Sequence, residues 1–282
     1  MSETPDASLA TKPPVVATAV PVKEVHDNAY REKMWALLPQ PKAPAPPMLE
    51  PLSEGAIQNL RREILAEVRR KAESRSIERI RVTLGTPAKY VMCGRQYREL
   101  KADDPQHVKQ MYYLVGQHLL LADAMFVQSD PKVQLSGIGI ANEVITVLAQ
   151  TLKDGAMAAR VADAYLIPHL DVAPLEMYAV LNRRFLLTYA IRAYSFGERY
   201  DRLEQVCGYA IQLYGDNRNS TDALRITLAL ALKKQNKWDE AILVLNDIQD
   251  PSLTSLRDDQ LPQYVKERDA YLAAQKSNNP RK

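Results

Sequence analysis

The chain has 282 residues, of which 46% are hydrophobic and 25% charged, a balance that suits a folded soluble protein. Its ten glycines are too few for a turn-rich β architecture, and its two cysteines, Cys93 and Cys207, form no CxxC pair and no disulfide framework. The formal net charge of +3 is unevenly spread, with −1 over residues 1–52, +6 over 53–101 and −2 over 102–282, so attraction to an anionic partner would begin in the middle segment.

Ten of the eighteen prolines fall in residues 1–52, which are expected to form a disordered, proline-rich tail. The N-terminus is acidic and polar and lacks the basic and apolar regions of a secretory signal. Residues 1–24, with Pro13, Pro14 and Pro21, cannot bury enough apolar surface to offset the entropy of ordering. Residues 39–52 hold Pro39, Pro41, Pro44, Pro46, Pro47 and Pro51 and read as a semi-rigid polyproline spacer. Between them lies a short helical motif at 27–38, with Asp27 placed to cap it and Pro39 to stop it. Tyr30, Met34, Leu37 and Leu38 fall on one stripe of that helix and Trp35 at its edge. So short a helix is unstable alone. Tyr30, Met34, Trp35 and Leu38 are therefore read as anchors of a recognition helix that folds on a partner or on the chain's own helical domain.

Residues 53–101 read as a basic helix followed by a small β-hairpin. Ser53 caps a helix over 53–79, whose apolar stripe is Ile57, Leu60, Ile64, Leu65, Val68 and Ala72. Its outer face is dense in Arg61, Arg62, Arg69, Arg70, Lys71 and Arg75. The hairpin is expected near 80–93, where Ile80, Val82 and Leu84 alternate with polar residues and Gly85–Thr86–Pro87 makes the turn. Arg69, Arg70, Lys71 and Arg75 form a candidate anion-binding cluster, with Tyr90 and Tyr97 available for stacking on bases. Glu63, Glu67, Glu73 and Glu78, interleaved at helical spacing, point instead to a salt-bridged, solvated face.

From residue 102 to 282 the pattern is helical throughout, with helices expected near 105–128, 132–152, 156–167, 174–196, 199–214, 220–235, 238–248 and 258–276. Asp104–Pro105 and Asp130–Pro131 are helix starts, and Asp154–Gly155, Gly215–Asp216–Asn217 and Asp250–Pro251 are breaks. Within this region Tyr194–Leu203 recurs in altered form as Leu232–Ala241, 38 residues later. In each copy an apolar helix reaches a polar break, then an aromatic and an acid, then a second apolar helix, the mark of stacked helical hairpins.

The two units at about 184–217 and 222–255 resemble tetratricopeptide repeats. Lys237–Trp238–Asp239–Glu240–Ala241, with Leu245 and Ile248, is similar to the family's turn and second helix; Tyr200, Asp201, Cys207 and Ala210 match it in the first unit. Leu203 stands where the family has alanine, and the family's first-helix tryptophan and glycine are absent from both units. The resemblance implies a mainly α, tetratricopeptide-like helical-hairpin solenoid, closed by the last helix as a solvating cap. It also implies a concave face carrying Phe185, Thr188, Arg192, Phe196, Ala223, Ile226, Leu230, Lys233 and Lys234. Of these, Phe185, Arg192, Lys233 and Lys234 are the candidate partner-binding residues, and the asparagine–lysine carboxylate clamp of some members is not matched.

Catalytic and metal chemistry has no pattern to rest on. His26, His107, His118 and His169 have no metal spacing with one another or with a cysteine, and His118 on an apolar helix reads as a packing residue. Gly137–Ile138–Gly139–Ile140–Ala141–Asn142 lacks the third glycine and the preceding strand of a dinucleotide fingerprint. Glu143, Asp163 and Glu176 read as solvated acids on helix surfaces. No cofactor, no enzyme activity and no membrane insertion are expected, and the location is read as cytoplasmic. The function expected is a non-catalytic protein–protein interaction adaptor or scaffold, within a multisubunit complex. The alternative is a nucleic-acid-associated accessory protein using residues 61–101.

Overall fold

In the computed structural model, described over residues 49–50, 52–74, 77, 96–172, 183–214 and 218–278, the chain is mainly α-helical and shows no strand among those residues. All of them lie within Pro39–Lys282, one of two units into which the chain divides. The other unit, Met1–Leu38, lies outside the described residues, as do the expected helical motif at 27–38, nearly all of the proline-rich tail and the expected hairpin at 80–93.

Local chemistry sets the helix ends. Ser53 caps α1 (Glu54–Ala72) by accepting the Ala56 N–H at 3.3 Å, and Arg69, Arg70 and Lys71 sit in its last turn, where the helix dipole favours cations. Asp104 and Asp130 cap α2 (Pro105–Phe126) and α3 (Pro131–Thr146), each with proline in the first turn. α3 runs on into a π turn, Val147–Thr151, and Asp154 caps α4 (Gly155–Tyr165) through the Met157 N–H. A 3₁₀ segment, Ile167–Val172, precedes α5 (Arg183–Phe196), α6 (Tyr200–Leu213), α7 (Arg218–Lys234), α8 (Trp238–Asn246) and α9 (Pro251–Asn278).

The last helix differs from the expected start near 258 after a break at Asp250–Pro251. It begins at Pro251, because Asp250 accepts the Ser252 N–H at 2.9 Å and proline occupies the first turn, the arrangement already seen at α2 and α3. The carboxylate of Asp222 on α7 fixes the approach to this start by accepting the Gln249 and Asp250 N–H groups at 2.8 and 2.7 Å.

Helices pack chiefly on their neighbours in sequence, from α1 on α2 through to α8 on α9, with α3 also meeting α5 and α7 meeting α9. α1 departs from this order and crosses to α4. The packing is compatible with a helical solenoid.

One turn recurs three times. Lys153, Glu198 and Asn236 are left-handed (φ 55°, 53° and 61°), and the residues after them, Asp154, Arg199 and Lys237, share ψ values of 66°, 68° and 62°. The Arg199 and Lys237 N–H groups return to Tyr194 and Leu232 carbonyls at 3.0 Å, while the Asp154 N–H reaches one residue further back, to Leu148, because the π turn adds a residue. Counting from these turns, Ala158, Leu203 and Ala241 occupy one position and Ala162, Cys207 and Leu245 another, and all six are fully buried. The hairpins α3–α4, α5–α6 and α7–α8 thus share a turn and an interior register.

Candidate functional site

The candidate partner face divides between α5 and α7. On α5, Leu186, Leu187, Ala190, Ala193 and Tyr194 turn inward. Phe185 and Phe196 remain 47% and 49% exposed on the opposite side, with Thr188 also exposed. Arg192 is half-buried, its guanidinium 5.8 Å from the Tyr189 ring centre. On α7, Leu228, Ala229, Ala231 and Leu232 are buried, whereas Ala223, Leu230 and Lys234 are exposed and Ile226 is half-buried.

Lys233 sits differently from the rest of this group. Its ammonium meets the Glu267 carboxylate of α9 at 2.7 Å and lies 4.5 Å from the Tyr264 ring centre and 5.8 Å from that of Trp238. Trp238 in turn packs edge-on against Tyr264, with centroids 6.4 Å apart. Lys233 therefore joins the contact that holds α9 over the last hairpin, and Lys234 is left as the outward cation of this turn.

Buried charge holds α5 in place. Asp163 of α4 accepts the Tyr194 hydroxyl of α5 at 2.7 Å and pairs with the Arg202 guanidinium of α6 at 2.8 Å. Burial, then the Asp163 charge, push the Tyr194 hydroxyl well above its ordinary pKa, so it stays a donor. A second cluster of the same composition lies nearer the N-terminus. Arg61 meets Asp123 at 3.1 Å, Tyr165 donates to Asp123 at 3.2 Å, and the guanidinium also donates to the Ala164 carbonyl and lies 4.6 Å from the Tyr165 ring centre.

Both clusters correct the sequence reading. Arg61 belongs to the interior and not to the outer basic face, because a carboxylate, a carbonyl and two aromatic rings receive it. Asp163 is likewise buried and not a solvated acid, because Arg202 and Tyr194 neutralise and bond it. Its setting among Val161, Ala162 and Ala164 was the one sequence signal for this. Glu143 is exposed, and Glu176 lies outside the described residues.

The basic cluster of α1 is dispersed. Lys71 is bound to the Asp154 carboxylate and meets Glu67 at 3.2 Å, and Tyr112 donates to the same Asp154 at 2.8 Å. Arg160 of α4 reaches Glu67 at 2.6 Å and Glu63 at 3.1 Å, so much of the charge on α1 clamps it to α4. Arg70 is exposed, Arg69 is half-buried, and Arg75 lies outside the described residues. Tyr97 is buried with its hydroxyl 2.7 Å from Nδ1 of His118 and so is not open for base stacking; Tyr90 lies outside the described residues. Tyr30, Met34, Trp35 and Leu38 also lie outside them.

Among the described residues no group of three His, Cys, Asp or Glu side chains could hold a metal ion, and no helix is long and apolar enough to cross a membrane. Cys207 is a buried free thiol whose pKa burial pushes up to about 12. No protein-family model, curated protein or solved structure matches the chain.

Proposed function

We propose that this chain is a non-catalytic protein–protein interaction module, an adaptor or assembly component of a multisubunit complex, built as a tetratricopeptide-like solenoid and working in the cytoplasm. The observation that carries the reading is the turn shared by α3–α4, α5–α6 and α7–α8, with fully buried residues at matching positions after it. Hairpins with a common turn and register stack in one sense, which brings their first helices to one side. In such a stack α5 and α7 present Phe196 and Leu230 on the partner face. The nucleic-acid alternative is supported less, since Arg61 and Lys71 are spent inside the chain and Tyr97 is buried.

The test is affinity capture from native lysate with the full chain and with a Phe196→Asp, Leu230→Asp double variant. Both sites are exposed, so the variant is expected to melt within a few degrees of the wild type, about 0.5 kcal/mol per surface change. Loss of the captured proteins supports the reading. Capture of the same proteins at the same recovery overturns this face as the binding surface.

A further inference from the structure

Pro262 lies in the middle of α9, whereas Pro105, Pro131 and Pro251 occupy the first turns of their helices. Having no N–H, Pro262 cannot bond the Asp258 carbonyl one turn back, and its ring crowds that carbonyl. A helix bends at such a gap in its ladder.

The two parts of α9 are held in different ways. Before Pro262 the anchors are to backbone. Asp250 caps the start, and the buried Arg257 donates to the Ile248 carbonyl at 2.7 Å. Beyond Pro262 the anchors are between side chains. Lys233 of α7 meets Glu267 at 2.7 Å, Asp239 of α8 meets Arg268 at 3.1 Å, and the rings of Tyr264 and Tyr271 close on Trp238. The Glu267 and Asp239 side chains are 36% and 38% exposed, so dissolved ions reach both pairs. From Asp269 to Gln275 every side chain except that of Tyr271 is exposed.

One hydrogen bond is unmade in this arrangement. The Trp238 Nε1–H is buried and has no acceptor among the described residues. Water admitted at Trp238 supplies that bond, which lowers the cost of parting α9 from the ring.

We propose that α9 beyond Pro262 is a hinged lid over Trp238 and Lys233, latched by the Glu267 and Asp239 ion pairs and released as salt rises. Opening uncovers an aromatic ring and a cation beside Lys234. The proposal does not rest on the interaction reading; for that reading it decides when Lys233 is accessible.

The experiment is hydrogen–deuterium exchange by mass spectrometry on the full chain, with acrylamide quenching in a Trp35→Phe background where Trp238 is the one tryptophan. Residues 263–268 are expected to exchange faster than 255–261. Glu267→Gln combined with Asp239→Asn is expected to speed exchange over 263–268 about tenfold and to raise the quenching of Trp238. Exchange over 255–261 should not change, and the melting temperature should stay within a few degrees. Raising salt from about 0.05 to 0.5 M should move the wild type the same way and the double variant little further. Pro262→Ala restores the missing bond and is expected to bring the two stretches to a common rate.

Uniform exchange over both stretches in the wild type, exchange indifferent to salt, or an equal rise over both stretches in the double variant would each overturn the lid. None of these outcomes touches Phe196- and Leu230-dependent capture, which tests the interaction reading separately.

Discussion

Gly155 and Gly197 meet backbone to backbone where the start of α4 crosses the end of α5. A Cβ on Gly155 would lie 2.0 Å from the Phe196 carbonyl oxygen, and one on Gly197 would lie 2.6 Å from the Gly155 carbonyl oxygen. No side chain can swing away at this crossing, so either methyl group must push the helices apart. Asp154, Lys71 and Tyr112 anchor one side of the contact and the repeated turn at Glu198 anchors the other.

Gly155→Ala is therefore expected to cost about 3 kcal/mol or more by overpacking. Gly55→Ala provides the control, because nothing lies near its Cβ position and a helical alanine there gains about 0.5–1 kcal/mol. Chemical denaturation of both variants checks the pair. Equal stabilities would mean that α4 and α5 do not cross this closely.

The Asp163 cluster predicts a different pattern. Asp163→Ala leaves the Arg202 guanidinium buried and unpaired, at a cost of about 3–5 kcal/mol. Tyr194→Phe removes one hydrogen bond and is expected to cost about 1–2 kcal/mol. Denaturant midpoints measure both. A mild effect of Asp163→Ala would show that water reaches Arg202.

Ala241 is fully buried at the position shared with Ala158 and Leu203. Ala241→Arg is expected to cost several kcal/mol, roughly 3 or more, through overpacking and a buried charge. An unchanged melting temperature would contradict the shared register of the hairpins.

Stability is expected to fall between pH 6.5 and about 4. Burial holds His118, and burial followed by the Arg61 charge holds His169, down at about 4 in the folded chain, against 6.5 as the ordinary value. In that interval the unfolded chain binds protons that the folded one refuses, so stability drops with pH and the loss is complete below 4. For His118 the limit is about 3 kcal/mol; half-buried His169 contributes less. Asp123, whose carboxyl burial pushes up, acts in the opposite sense above its ordinary range. Unfolding free energies of the wild type and His118→Gln across this interval test the assignment, and the variant is expected to show the shallower slope.

Among the described residues, most helices expected after residue 102 and the 38-residue correspondence of Tyr200 with Trp238 are legible in the chain alone, because apolar periodicity, Asp–Pro starts and turn residues act over a few neighbours; 174–182 and 215–217 lie outside those residues. The same local signal at Asp250–Pro251 is ambiguous in the sequence, since proline marks both a helix end and a first turn. Where the charges went was settled by tertiary packing. Arg61, Lys71 and Lys233 each have a local pattern that suits a solvated surface, and the apolar run around Asp163 marks its burial without naming its partner. Their partners Asp123, Asp154, Arg202 and Glu267 lie 34 to 83 residues away. A charged side chain becomes interior or exterior according to whether packing brings it a counter-charge, and no local pattern carries that information. On the candidate face Lys234 is exposed and Arg192 is half-buried against the Tyr189 ring, and neither makes an ion pair among the described residues.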